Sequence, residues 1–428
     1  MPNQDIVFVE RCTARGRVRV PTSKSIAHRA LICAALCEGG VSTLSGVPVN
    51  EDIDATVDVL RALGVELSVR QEADSPDTRE VQVRGCGGRW QTQTDAPLGC
   101  RESGSTLRFV LPLCLLTDAP RTLTGSTRLL SRPLSDYRPL FEGREWVQGE
   151  NALRVGGGAR PRGRTFTLEG KTSSQFVTGL LHLLPLLEGD STLCLGQAPE
   201  SRPYIDMTLA VLRRFGVCGE WRNDKTLFVP GGQTYRPADM TVDGDASGAA
   251  FFEALSALGH DVTVENPAGE EIPQGDSVCG ALLAEILDEG RARATVSLAD
   301  CPDLGPVLFS VAAVAAARGK TVVFTHTARL RLKESDRVQA MVEGLSRFGA
   351  RALTEDKDGG SVTFLPSEPL HIPEGVLQGV NDHRVVMALS VLCAHVGDGR
   401  IDDAHAVSKS FPAFFDCLRQ IGVGVIKE

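Results

Sequence analysis

Residues 23–64 read SKSIAHRALICAALCEGGVSTLSGVPVNEDIDATVDVLRALG, and the order of elements in this stretch sets the architecture of the chain. Ser23 and Ser25 are hydroxyl residues of the kind that satisfy free N–H groups at a helix start. From Ile26 to Cys37 the residues are mostly apolar or small, the composition of a helix buried on most sides. Gly39 and Gly40 end it, a short strand-like run follows, and DIDATVDVLRALG then spaces its apolar residues three and four apart, as an amphipathic helix does. The unit predicted is a buried helix, a strand, an amphipathic helix and a further strand.

The same unit recurs six times. Its apolar helices open near Ser25, Gly104, Ser174, Ala246, Leu304 and His383, at intervals of 58 to 79 residues. Such spacing is too loose for a solenoid and suits repeated βαβ-type units. The amphipathic second helix is clearest in DIDATVDVLRALGVEL, YIDMTLAVLRRFGV, SDRVQAMVEGLSRFGA and PAFFDCLRQIGV, and weaker at 133–145 and 274–290. Six units divide into two three-unit domains, with the apolar helices inside. A composition break at Arg236-Pro237 predicts one domain over 21–237, with 1–20 and 238–428 forming the other. GCGGRW at Gly85 lacks the GxGxxG order of a dinucleotide-binding turn.

The 428 residues carry 45 Lys and Arg against 54 Asp and Glu, and the net charge of -9 argues against general nucleic-acid or anionic-membrane binding. The most continuous apolar run, Val307 to Ala317, is too short to span a bilayer of about 30 Å, and Met1 to Glu10 has no leader pattern. Twelve cysteines without a CxxC pair fit a reducing, cytoplasmic setting. The expectation is a protein with no metal, no cofactor, no nucleic-acid or membrane partner, and a monomeric state.

The helix openings hold the informative polar residues: Lys24, Ser25 and Arg29; Gly104 and Arg108; Lys171, Ser173, Ser174 and Gln175; Ser201 and Arg202; Lys333, Glu334 and Arg337; Arg384. Capping accounts for the hydroxyls. It does not account for cations at the positive end of a helix dipole, where they are disfavoured by roughly 0.3–1 kcal/mol. Anions bound at these openings would explain them, because N–H groups, hydroxyls and guanidinium forks together bind phosphate and carboxylate. A P-loop is excluded at Gly170-Lys171-Thr172, since the leading glycine position holds Thr165. Asp303 and Glu334, beside Lys and Arg, have the chemistry of proton-transfer groups.

The ordered motifs SKSxxxR (23–29), SGSTLR (103–108), SSQF (173–176), SRPYIDMT (201–208), GDAS (244–247), KESDR (333–337) and NDHR (381–384), with SKSFP at 408–412, closely resemble the 5-enolpyruvylshikimate-3-phosphate synthase family of enolpyruvyl transferases. The resemblance implies an α/β fold of two similar domains, each of three βαβαββ units forming an inverse α/β barrel or prism, with the active site in the interdomain cleft. It implies transfer of the enolpyruvyl group of phosphoenolpyruvate to the 5-hydroxyl of shikimate 3-phosphate by addition and elimination, without a cofactor. Carried over by position, Lys24, Ser25, Arg29, Ser173, Ser174, Gln175, Ser201 and Arg202 match shikimate 3-phosphate sites in the first domain. Gly104, Arg128, Arg337, Arg384 and Lys409 match positions around phosphoenolpyruvate. Lys24 reaches both substrates, and Asp303, Lys333 and Glu334 match the groups at the reacting hydroxyl and methylene.

Two positions depart from the pattern: Glu102 and Arg329 stand where many relatives carry Asn. The nearest rival, the transferase acting on UDP-N-acetylglucosamine, usually has a Cys or Asp in a loop of its first domain, and 125–133 contains neither. A non-catalytic anion- or RNA-end-binding protein of the same fold would not need Asp303, Lys333 and Glu334 together.

Overall fold

The computed structural model describes residues 5–72, 75–90, 96–168, 173–199 and 201–428. They form two compact units. The first comprises Thr22–Asp243 with the short return Gly269–Gln274; the second takes the amino-terminal segment to Pro21, Gly244–Ala268 and Gly275–Glu428. The composition break at Arg236-Pro237 precedes the crossing, because Met240–Thr241 still pairs in parallel with the strand Glu38–Pro48. The short return is anchored by Ile272, which is buried in the first unit's core.

The first unit carries α1 (Lys24–Leu36), α2 (Glu51–Ala62), α3 (Gly104–Val110), α4 (Thr127–Leu130), α5 (Ser174–Leu183) and α6 (Arg202–Arg214). The second carries α7 (Ala246–Ala257), α8 (Cys279–Leu287), α9 (Gly305–Ala317), α10 (Arg337–Ser346), α11 (His383–Val396) and α12 (Phe414–Gln420). The apolar first helices are interior: α1 is buried from Ile26 through Leu36, and α9 from Gly305 through Ala316. Each large aliphatic side chain so enclosed contributes about 1.5–3 kcal/mol over its exposed state. α6 instead buries one face, Ile205, Leu209 and Leu212 among it, and exposes Arg213. In the second repeat the amphipathic helix is reduced to the single turn α4 and the 3-10 segment Ser135–Phe141, interrupted by Pro139.

Five repeats close on a four-stranded sheet among the described residues. In four of them a parallel pair is extended by an antiparallel hairpin: Arg293–Ser297 runs parallel to Thr321–Thr325, which pairs with Ser361–Leu365 and through it with Arg351–Glu355. The amino-terminal strand Val7–Val9 completes the sixth sheet between Gly399–Ile401 and Val425–Lys427. The fourth repeat departs from this pattern. Its sheet holds only Arg15–Val18 and Asp261–Val264, in parallel, and no hairpin follows α8 before the next repeat begins at Arg293.

Two histidines lie in the first unit's interior beside Phe109. His28 shares a hydrogen bond with Thr56 at 2.7 Å, and both ring nitrogens of His182 are sealed from solvent. Burial lowers both pKa values, that of His182 to about 3, with the Arg29 charge acting in the same direction. The rings are therefore neutral when folded. Because the folded value lies below the unfolded one, their contribution is fully present above about pH 6.5 and is lost as pH falls toward the folded value. Urea unfolding is expected to show a loss from pH 7.5 to 5.0 in which His182 alone accounts for about 2 kcal/mol. His182→Phe should lose correspondingly less over that interval, and equal slopes for the two proteins would contradict this assignment.

Candidate active site

In the first unit the helix openings are tied directly to one another. Lys24, the first residue of α1, holds Asp52 in the first turn of α2 at 2.9 Å, with both side chains largely shielded from solvent. Thr56 of α2 meets Thr106 of α3 at 2.7 Å, and the Gln175 amide in the first turn of α5 donates to Ser105 at 3.2 Å. Its oxygen accepts from Arg108 at 2.7 Å, so one side chain fixes α5 against α3. Tyr137 strengthens that contact: its hydroxyl lies 2.9 Å from the carbonyl oxygens of both Arg108 and Phe176. Gly179 makes the approach possible, since a Cβ there would lie 2.2 Å from that hydroxyl.

One nominated residue, Arg29, is turned into the interior. Arg29 is buried and donates four hydrogen bonds inside the protein, to Thr208, the Ser25 carbonyl, Thr178 and the Tyr204 carbonyl, with its guanidinium over the Phe109 ring. Burial pushes its pKa down to about 10. It joins α1, α5 and α6 from within. Ser173 caps α5 and Ser174 is buried beside it. Ser201, in the left-handed region at φ 61°, precedes α6, where Arg202 lies over Trp221 with Asp206 binding the indole N–H at 2.8 Å. Lys171 lies outside the described residues.

Among the described residues, the cation nearest Gly104 is one that motif matching passes over. A Cβ at Gly104 would meet the Arg132 guanidinium at 3.0 Å and that of Arg108 at 3.1 Å. Arg128 is exposed on α4, whereas Arg132 is half-buried, with its Nε sealed from solvent and without a hydrogen-bond partner among the described residues. The sequence signal was Pro133: a residue before proline is driven out of helical conformation, so Arg132 leaves the turn in a different direction from Arg128.

The second unit gathers five charged residues around one guanidinium. Arg337, at the first position of α10 and only 1% exposed, donates to Asp382 at 2.8 and 3.3 Å, to Asp303 at 2.9 Å and to Glu334 at 2.6 Å. Asp382, fully buried, caps α11 through the Arg384 N–H and also accepts from Ser335. Arg384 donates to Asp303 from the other side at 3.3 Å, and Lys333 approaches Asp303 at 3.2 Å. Burial opposes the charge on Arg337, but Asp382, Glu334 and Asp303 overcome it and raise its pKa. For Lys333 burial prevails: its ammonium is shifted below the usual range despite Asp303, and Arg337 and Arg329 add to the fall. Asp276, buried near Asp303, is pushed upward by that burial and by the Asp303 charge.

Lys409 is buried and donates to the Asn381 carbonyl at 2.8 Å. Val380 and Asn381 both take positive φ values, 48° and 52°, an arrangement rare for a β-branched residue. Asp402 and Asp403 accept from the Gly379 and Asn381 N–H groups and hold this loop in place. Asp303, Lys333, Glu334, Arg337 and Arg384 thus form one connected cluster, with Asp382 as an anchor absent from the sequence-based set.

Two carboxylates held by guanidinium groups, a lysine of lowered pKa and cationic helix openings suit proton transfer on an anionic substrate. The sequence profile of EPSP synthase (3-phosphoshikimate 1-carboxyvinyltransferase) matches residues 11–418. The chain belongs to the EPSP synthase family. A 3-phosphoshikimate 1-carboxyvinyltransferase of Clostridium kluyveri is 32% identical, with 97% of each chain covered, and that of Clostridium novyi 33%, with 96% of each. An EPSP synthase structure from Acinetobacter baumannii shares the fold with a TM-score of 0.75 at 22% identity, covering 99% of this chain and 100% of that one. The enolpyruvyl transferase NikO from Streptomyces tendae does so with a TM-score of 0.74 at 16% identity, covering 100% and 99%. Among the described residues, no helix is long and apolar enough to cross a membrane.

The cluster around Asp303 and Glu334 depends on Arg337 for its charge balance. Arg337→Met is expected to lower unfolding free energy by about 3–5 kcal/mol, because it strands buried Asp382 without its cation. Adding Asp382→Asn should recover part of the loss in urea titrations. A single variant of wild-type stability would contradict the pairing.

Proposed function

We propose that this chain transfers the enolpyruvyl group of phosphoenolpyruvate to the 5-hydroxyl of shikimate 3-phosphate and releases phosphate. The observation that carries the reading is the Asp303, Lys333, Glu334 and Arg337 cluster: two carboxylates of different surroundings beside one lysine, all ordered by a buried guanidinium. In the addition step the hydroxyl oxygen bonds to C2 of phosphoenolpyruvate, its proton passes to Asp303, and Glu334 protonates C3. In the elimination step Glu334 takes a proton back from C3, the C2–O bond to phosphate breaks and the double bond re-forms, while the proton held by Asp303 passes to the departing phosphate and restores the carboxylate. One acid/base group serves both directions. Lys333, with its lowered pKa, orients the hydroxyl, and Arg384 and Lys409 offset charge on the departing phosphate.

The first unit supplies binding groups in this reading. Ser25, Ser173, Ser174, Gln175, Ser201 and Arg202 hold shikimate 3-phosphate through hydroxyls, an amide and a guanidinium; Lys24 contacts both substrates. Arg29 supports them from the interior. Arg132 takes the phosphoenolpyruvate role that position alone suggested for Arg128: its guanidinium lies beside Gly104 together with that of Arg108, and its buried Nε has no hydrogen-bond partner among the described residues.

Phosphate release is expected only when both substrates are present, and UDP-N-acetylglucosamine should not replace shikimate 3-phosphate; efficient turnover of the UDP-sugar would overturn the reading. Glu334→Gln and Asp303→Asn should each lower kcat by about 10²–10⁴-fold with little change in substrate binding. Near-normal kcat in Glu334→Gln would remove it from the chemistry. Arg132→Ala should raise KM for phosphoenolpyruvate about tenfold or more, the scale of one charge-assisted hydrogen bond, and well beyond the effect of Arg128→Ala. The reverse order would return Arg128 to the site.

A further inference from the structure

Lys333 and Glu334 ride on a segment that apolar packing holds only at its ends. Leu330, in the 3-10 turn Ala328–Leu332, is fully buried, and α10 buries Arg337 and Val338 at its start. Between them Leu332 is 62% exposed, and Lys333 through Asp336 are half-buried. Burial of apolar surface therefore does little to order residues 332–336, and polar contacts must do it. Three of these reach the cluster itself: Lys333 to Asp303 at 3.2 Å, Glu334 to Arg337 at 2.6 Å, and the Ser335 hydroxyl to Asp382 at 2.9 Å. A fourth lies outside it. One Nη of Arg331 donates to both oxygens of Asp336, at 3.0 and 3.3 Å, and the other lies 3.2 Å from Asp356. Asp336 also caps α10 by accepting from the Gln339 N–H at 2.9 Å. The side chains of Arg331 and Asp336 thus close a loop around Leu332, Lys333, Glu334 and Ser335.

We propose that Arg331 is a positioning residue for the enolpyruvyl transfer: its clasp on Asp336 fixes the loop that presents Lys333 and Glu334. This role rests on the reaction proposed for those two residues above. Proton transfer is what makes a clasp outside the cluster necessary. Glu334 must carry a proton before it can protonate C3, and in that form it meets Arg337 only as a neutral acceptor, which binds more weakly than a carboxylate. Asp303 is neutral once it has taken the hydroxyl proton, and its hold on Lys333 weakens in the same way. Two of the three contacts that tie the loop to the cluster are therefore weakest while the chemistry proceeds. Arg331 and Asp336 exchange no proton with substrate in this scheme, so their pairing keeps its charge throughout. A link at the base of a loop cuts the freedom of the residues within it, and a displacement of about 1 Å can cost about 10²-fold in rate. Asp356 is 82% exposed, so solvent screens its contact with Arg331 and Asp336 is the partner that matters.

Steady-state kinetics of the full chain, paired with native-state proteolysis, test the clasp. Arg331→Met keeps an unbranched apolar stem and removes the guanidinium. It should lower kcat about tenfold or more and change KM for either substrate less than about threefold, a split that a general loss of stability would not produce. Asp336→Asn keeps a good helix cap while removing the charge, and should act in the same direction. Because the two residues form one contact, the double variant should fall no further than the lower single variant. Arg331→Lys should recover part of the loss. A Glu-specific protease should cut the Glu334–Ser335 bond of Arg331→Met several times faster than that of the wild-type chain, with cleavage elsewhere unchanged.

Circular dichroism establishes that each variant is folded, and Asp336→Asn carries the test if Arg331→Met is not. Wild-type kcat in the folded variants, losses that multiply in the double variant, or unaltered cleavage after Glu334 would each overturn the proposal. A wild-type chain that releases no phosphate from the two substrates would overturn the transfer reaction instead, and cleavage after Glu334 would still decide whether Arg331 closes the loop.

Discussion

A buried guanidinium bonded to a buried carboxylate organises the second unit's chemistry. Arg337 and Asp382 lie out of water, where either alone would carry a desolvation penalty of several kcal/mol, and each is retained by the other. Around this pair the more accessible Asp303 and Glu334 are drawn to defined positions by the remaining guanidinium donors. The arrangement gives two carboxylates and one lysine distinct surroundings within a few ångströms. Such differences in environment let similar groups take opposite proton-transfer roles.

The helix openings supply the complementary constraint. Lys24 stands at a helix start, where the dipole disfavours a cation, and is offset by Asp52; Arg202 is steadied by Asp206 and the Trp221 face. The interior links through Arg29, Gln175 and Tyr137 fix how these openings meet. Packing of apolar helices and placement of the polar and charged groups are therefore one problem: the same first turns that cap buried helices present the charged residues.

Much of this was legible in the chain because apolar periodicity and capping are local. The apolar runs from Ser25, Gly104, Ser174, Ala246, Leu304 and His383 all lie in helices, and the KESDR and NDHR openings indeed meet through Arg337 and Asp382. Two things were hidden for physical reasons. Arg128 and Arg132 sit four residues apart around an irregular turn; Pro133 marks where that turn ends, but which arginine is then enclosed is settled by packing rather than pattern. Asp382 reads as an ordinary cap from sequence alone; its second role appears only with a guanidinium from another repeat against it. The lost hairpin left a trace in the shortest repeat interval, 58 residues, but its consequence, an open strand edge, needs the sheet order to be seen.

In the proposed reaction Glu334 moves a proton to and from the methylene carbon while the Arg337 hub holds it in place. Running the reaction with shikimate 3-phosphate and phosphoenolpyruvate in deuterium oxide, and following the methylene group of the product by proton NMR, tests that step directly. A carboxyl that exchanges with solvent between its two tasks predicts deuterium in the product methylene of the wild-type reaction, and its loss in the slow residual turnover of Glu334→Gln. Product formed by the wild-type chain with no deuterium at that carbon, or equal incorporation in the variant, would contradict it.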